Sequence, residues 1–197
     1  MKNRNLLAVS VALALSSLSV SAQVMVGGAA MYSNKDIVDN AMNSKDHTTL
    51  VAAVKAADLV PTLKGAGPFT VFAPTNAAFA ELPAGTVDKL LKPENKPMLK
   101  QVLTYHVVPG KWDTAALEAN MKAHGGKAWL KTVEGENLCV MSEGGMLVVA
   151  DAKGHTAHVT VADVAQSNGV ILVVDKVLMP ISASGPIGAN NPDKIPG

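Results

Sequence analysis

Imidazole is the side chain best suited to proton transfer or metal ligation near neutral pH. This chain carries five histidines and a single cysteine. His106 has the most informative setting. It follows Leu99 and Leu103 at i, i+4 and i+7, with Val102 alongside, and so closes an apolar helical stripe. That position favours a buried ring bonded to backbone or a hydroxyl over a solvent-facing base, because a buried polar group must find partners. His155 and His158 stand three apart. On an extended segment they point to opposite faces, and no cysteine or carboxylate pair beside them completes a tetrahedral set. Asp151 and Asp163 are too loosely placed to define ligands. His47 and His124 fall beside predicted helix ends, where solvated histidines are common.

Nucleophilic catalysis has no better footing. A Gly-x-Ser-x-Gly elbow is missing, and Ser142 and Ser167 fall in turns without a histidine at a useful spacing. Cys139, at an alternating strand position between Leu138 and Val140, reads as a packed or half-exposed thiol and not as a nucleophile. The chain has neither a Walker loop nor a dinucleotide fingerprint after a strand. The methionines are scattered, which suits core filling better than a copper-binding cluster. These residues describe a non-enzymatic chain with no cofactor and no metal.

Of 197 residues, 48% are hydrophobic and 17% charged, a globular balance with room for one core and one domain. Lys2 and Arg4, the apolar run from Leu6 to Leu18 and the small residues Val20, Ser21 and Ala22 read as a cleaved export signal over residues 1–22. The apolar run is short and serine-broken for a membrane span, so stable membrane insertion is not expected. The whole chain has a net charge of +1, and the leader takes two of the basic residues with it. A near-neutral exported protein has no electrostatic footprint for nucleic acid. With Cys139 alone, no intramolecular disulfide can form, and the core must hold the fold by itself.

The elements that would position these side chains follow in order. Residues 23–32 are small, apolar and glycine-containing, and read as a flexible lead. Ser33 to Asp36 resembles a helix start before Ile37, Val38, Ala41 and Met42. Leu50, Val51, Val54 and Ala57 form a second stripe, ended by Pro61 and Gly65. Phe69, Thr70, Val71 and Phe72 make a buried strand that Pro74 should stop, with Thr75 or Asn76 capping a short helix that contains Phe79 and Leu82. All three phenylalanines lie in this elbow, which marks it as a core anchor. Short helices over Val87 to Leu91 and Pro97 to His106 come next. Then follows a turn at Pro109 and Gly110, and a helix capped by Asp113 or Thr114.

From Lys127 the period changes to two, and strands are predicted over 127–133, 137–141, 146–151, 156–161 and 169–177, several separated by glycine turns. Helices first and an antiparallel meander later imply an α+β fold. Val170 to Val177 is nearly continuously apolar, as in a strand covered on both faces, and the carboxylate of Asp175 should be partnered or near the strand's exposed end. Residues 182–197 are rich in proline and glycine and read as a disordered tail.

Three stretches, in order, carry a family resemblance. Phe69-Thr-Val-Phe-Ala-Pro-Thr-Asn-Ala-Ala-Phe79 resembles the first signature motif of fasciclin domains. Tyr105-His-Val-Val-Pro-Gly110 resembles the family's central Tyr-His motif, and Asn168 to Pro180 its closing motif. The resemblance covers residues 33–181. It implies a fasciclin-like antiparallel β-wedge with several helices packed along one side. It implies an adhesion or matrix-interaction module whose partner is a surface or matrix protein or a polysaccharide. The alternative is a binding module for an apolar small molecule, since some fasciclin-like proteins carry carotenoids; a lipid is the other such cargo. The matching motif positions are Phe69, Thr70, Phe72, Pro74, Thr75, Asn76, Phe79, Tyr105, His106, Pro109, Asn168, Gly169, Asp175 and Pro180, with structural or adhesive roles. In the family the matching histidine belongs to a hydrogen-bonded core near the first motif, which makes Thr70 or Thr75 the expected kind of partner for His106. The chain departs from many fasciclin domains at Leu172, where they have histidine, and it has no Arg-Gly-Asp triplet.

Overall fold

The computed structural model describes residues 23–183. The expected export signal over 1–22, and the expected tail over 182–197 from residue 184 onward, lie outside the described residues. The first described element corrects the expectation of a flexible lead. Strand β1 (Val24–Val26) and strand β2 (Ala29–Met31) form an antiparallel hairpin, with Val26 and Met31 in the core. Gly27 and Gly28 turn it at φ 58° and 74°, and a Cβ on Gly27 would sit 2.4 Å from the Ser44 hydroxyl. The buried Asn40 amide pins the exit by accepting from the Tyr32 amide and donating to the Tyr32 carbonyl.

The helices then come in quick succession. Helix α1 (Ile37–Asn43) is capped by Asp36, whose carboxylate accepts from the Asp39 amide. Helix α2 (Thr48–Ala56) buries Leu50, Ala53 and Val54. Pro61 does not end a helix but sits in the first turn of a short one, α3 (Val60–Leu63), where its missing N–H costs nothing. After strand β3 (Phe69–Pro74) come α4 (Asn76–Ala80), α5 (Thr86–Leu90) and α6 (Lys96–Tyr105). Strand β4 (Val107–Pro109) and helix α7 (Thr114–Ala123) lead into a meander of β5 (Lys127–Lys131), β6 (Asn137–Glu143), β7 (Met146–Ala150), β8 (Thr156–Gln166) and β9 (Gly169–Val174).

One seven-stranded sheet runs in the order β4-β3-β9-β8-β7-β6-β5. Every neighbouring pair is antiparallel except β3 and β9, which run parallel with Phe69 opposite Gly169 and Pro74 opposite Val174. These two central strands are covered on both faces, hence their unbroken apolar runs. Val71, Ala73, Ile171 and Val173 face the helices, meeting Ile37, Val38, Leu50, Leu63 and Leu103. Phe72, Leu172 and Val174 face the other way into the curled sheet, against Tyr105, Leu117, Leu130, Leu138 and Val149. The far end of the sheet comes round until the Val133 amide donates to the Val107 carbonyl at 2.8 Å. The result is a near-closed wedge with helices along one side.

Strand β8 is longer than its sequence suggests, running past Val161 to Gln166. It does so through register shifts between Val159 and Val164, with Asp163 at φ 56°. Asp163 uses that bend to accept from the Thr114 amide at 2.7 Å, adding a second carboxylate to the start of α7 beside the Asp113 cap.

Phe72 is fully buried between Leu172 and the wedge interior. Phe72→Ala should therefore lower the unfolding free energy by about 3–5 kcal/mol, since lost transfer and the remaining cavity add. Chemical denaturation measures this directly, and an unshifted midpoint would remove the ring from the core.

Candidate functional site

The motif residues do not converge on one pocket; each secures a different joint of the fold. Phe69 begins β3 half-buried against the helical core, opposite the exposed Pro109 of β4. The buried Thr70 hydroxyl donates to the Gly110 carbonyl at 2.7 Å and accepts from the Trp112 amide at 2.8 Å, which fixes the corner after β4. Pro74 ends the strand, and the Thr75 hydroxyl caps α4 through the Ala78 amide. Asn76 is not a cap. Its side chain accepts from the Thr49 amide and donates to the Lys45 carbonyl, tying α4 to the start of α2. Phe79 joins the helical core.

Asn168 clamps the opposite end of the sheet. Its carbonyl oxygen accepts from the Ile37 amide at 3.1 Å, while its amide donates to the carbonyls of Leu63 and Gly65. Gly169 has no room for a side chain, because a Cβ there would lie 1.9 Å from the Phe69 carbonyl oxygen. Asp175 accepts from both the amide and the ring Nδ1 of His158. His155 pairs separately with Asp151. Among the described residues, no three histidine, cysteine or acidic side chains gather in metal-binding geometry.

Tyr105 and His106, adjacent in sequence, each make two hydrogen bonds to backbone inside the fold. Tyr105 is buried in the wedge; its hydroxyl donates to the Asn137 carbonyl at 3.1 Å and accepts from the Ala152 amide at 2.9 Å. Burial pushes its pKa up to about 12, with Asp151, Glu136 and Glu134 acting in the same direction, so the donating proton stays in place. His106 is 2% exposed. Its Nδ1–H donates to the Val102 carbonyl at 2.8 Å, and Nε2 accepts from the Leu178 amide at 3.0 Å. The expected threonine partner is therefore replaced by backbone on both sides, since the Thr70 and Thr75 hydroxyls are engaged elsewhere. Burial pulls the His106 pKa down to about 4, against the Val102 bond and the Asp151 charge. A neutral ring with both nitrogens bonded has no free atom to offer a substrate.

His106 is one of several side chains that hold the segment after β9. Asp151, with its carboxylate fully buried, accepts from the amides of Lys153, His155 and Met179. Glu136 accepts from the amides of Ile181 and Ser182, while Glu134 accepts from the Ser182 hydroxyl. Partial burial opposes the Glu136 charge, but these bonds hold its carboxyl below the usual range. Pro180 and Ala183 are buried, so the ordered chain extends past the expected boundary at 181. The sequence sets Asp151 aside as a metal ligand and gives no role to Glu134 or Glu136. The turn context of Glu134 to Glu136 and the strand end at Asp151 were visible, but not the distant amides they serve.

His47 corrects a further expectation. It is buried, with Nδ1 on the Ser44 hydroxyl and Nε2 without a hydrogen-bond partner among the described residues. Burial lowers its pKa, opposed by the nearby Ala73 carbonyl and the Asp46 charge. His124 is exposed as expected, its Nδ1 on the Asn120 carbonyl. Between α1, α2, α3 and α6 lies an apolar slot bordered by Ile37, Leu50, Val54, Leu103 and His106, with about 30 Å³ of free interior space.

Because the folded His106 pKa lies below the unfolded value near 6.5, its contribution to stability is complete above that value. It is lost as pH falls from about 6.5 through about 4. His47 acts in the same direction, so the comparison must be with a variant. His106→Leu should lower stability at pH 7.5 by roughly 1–3 kcal/mol for each buried backbone group left unpaired. It should also flatten the decline between pH 7 and 4. Unfolding free energies across that range test both effects, and an unaltered slope in the variant would show that His106 does not titrate as described.

The fasciclin domain profile matches residues 45–180. The chain is 49% identical over 156 residues to protein sll1483 of Synechocystis sp., covering 79% of each. It is 37% identical to the immunogenic protein MPB70 of Mycobacterium bovis, covering 71% of this chain and 66% of that one. With the cell surface glycolipoprotein MPB83 of Mycobacterium bovis it shares 33% identity, over 78% and 64% of the two chains. The fold is similar to a FAS1 domain pair from the insect cell adhesion molecule fasciclin I, with a TM-score of 0.66 and 18% identity, covering 77% of this chain and about half (53%) of that one. Motif order, wedge topology and these relatives agree: the chain belongs to the fasciclin domain family.

Proposed function

We propose that this protein is an exported, non-catalytic adhesion module that binds a surface or matrix component. The observation that carries this reading is the engagement of the motif side chains. The Tyr105 hydroxyl and both His106 ring nitrogens are tied to backbone inside the fold, as are Thr70 and Asn168. The motifs therefore build a rigid scaffold, and recognition falls to the outer surface. Relatives described as a cell surface glycolipoprotein and a cell adhesion molecule support the same class. Among the described residues no helix is long and apolar enough to cross a membrane.

The apolar-cargo alternative has less support. The slot against His106 holds about 30 Å³. A pocket for a drug-sized ligand spans roughly 300–1,000 Å³, so a carotenoid or lipid seated in this slot would have to part the helices.

Export predicts a mature chain beginning near Gln23, outside the cytoplasm. Intact mass of protein recovered from periplasm or medium decides this, and a product retaining residues 1–22 would refute it. The adhesive reading predicts that the mature protein, coated on beads, retains them on cell-envelope or extracellular-matrix fractions from its own host. Protein that is fully folded by circular dichroism yet gives no retention above uncoated beads would refute the reading. Absorbance and mass analysis of the same natively purified protein tests for a coloured or lipidic cargo.

A further inference from the structure

Strand β5 alternates strictly. Ala128 and Leu130 are buried in the wedge, while Lys127, Trp129 and Lys131 point outward. Trp129 is 61% exposed, the most exposed of the large hydrophobic side chains among the described residues. In a strand, residues two apart lie about 7 Å from one another, so the indole is flanked on both sides by an ammonium-bearing chain. Neither lysine belongs to an ion pair among the described residues, although Lys35, Lys64 and Lys96 each have a charged or aromatic partner. Across the ladder, Lys127 faces Met141, Trp129 faces Cys139 and Lys131 faces Asn137, and Met141 in turn faces Val148. The stripe thus borders an apolar and neutral floor, and the nearest same-face carboxylate on β6 is Glu143, one alternation beyond Met141.

We propose that this Lys-Trp-Lys face of β5 is a binding surface for an acidic polysaccharide. The inference rests on the surface-interaction reading above and names its contact face and partner class. An exposed indole offers a flat apolar face with a polarised ring, against which the C–H face of a pyranose packs. The two ammonium groups supply the charge complement to carboxylates on neighbouring sugar units. The alternative partner, an acidic peptide adding as an extra strand, needs an open sheet edge. β5 is an edge strand, but it is only five residues long, β4 approaches it, and the Val133 amide just beyond it already donates to the Val107 carbonyl, so the edge left for an added strand is short. What β5 offers is its outward face, suited to stacking and charge pairing.

The test uses mature protein and three probes: oligogalacturonate, a neutral dextran oligomer and poly-glutamate of matched charge. Titration calorimetry and tryptophan fluorescence should report binding of oligogalacturonate and none of dextran. The affinity should fall as salt rises through the range where the screening length drops to about 8 Å. Trp129→Ala and the double variant Lys127→Gln/Lys131→Gln should each weaken binding by about tenfold or more. Their melting temperatures should stay near wild type, because all three side chains are exposed. Failure of wild type to bind oligogalacturonate, or equal binding by Trp129→Ala, would overturn the proposal. Poly-glutamate binding as tight as oligogalacturonate would overturn it in favour of an acidic protein partner. The bead assay separates the two levels: wild type and Trp129→Ala retained equally would refute this face while leaving the adhesive reading in place.

Discussion

The parallel pairing of β3 with β9 is the contact on which the rest of the structure depends. It joins Phe69–Pro74 to Gly169–Val174, segments about a hundred residues apart, between the short edge strand β4 and the meander that starts back from β9. Closing so long a loop costs entropy before any contact offsets it. The compensation is local and dense. The two strands bury side chains on both faces, so one pairing event seats the helical core and the wedge core together. Gly169 is needed for this approach, since a side chain there would collide with the Phe69 carbonyl. Asn168, one residue earlier, ties the same end to α1 and to the end of α3, so strand register and helix placement are set at one point.

The segment beyond β9 poses a different problem. It leaves the sheet, and its amides lose the ladder that would have satisfied them. Side chains from three other elements supply the acceptors: His106 for Leu178, Asp151 for Met179 and Glu136 for Ile181 and Ser182. This accounts for a neutral buried imidazole in a protein whose His106 offers no chemistry to solvent. An acceptor nitrogen is required at that depth, and a protonated ring would present a donor to the Leu178 amide.

The parts legible in the sequence were those whose cause is local. Val71 and Phe72 stop at Pro74 because proline cannot extend a ladder, and the alternation in β5 shows directly in Lys127 to Lys131. What stayed hidden depended on distant partners. The hairpin over 24–31 has no strong local pattern and is ordered by Asn40 and by core contacts at Val26 and Met31. The parallel orientation of β9 cannot be read from its apolar run, which suits either direction. His106 revealed its burial through the helical stripe, but its partner lies 72 residues away at Leu178. His47 reads as solvated because it stands beside a helix end, but the fold buries it there against the Ser44 hydroxyl.

Leu172 shows how far a motif constrains a surface. It stands opposite Phe72 and is fully buried in the wedge, where many fasciclin domains have histidine. A buried imidazole at that point would need its own acceptor or donor, or leave a polar atom unpaired. Leucine removes the requirement and adds apolar area to the cluster that holds Phe72, Leu138 and Val149. The change is internal and alters no outward side chain. Interior chemistry and surface recognition are thus separable in this fold: β9 is buried on both faces, whereas pleating turns Lys127, Trp129 and Lys131 of β5 outward, so an apolar residue at position 172 leaves that stripe exposed.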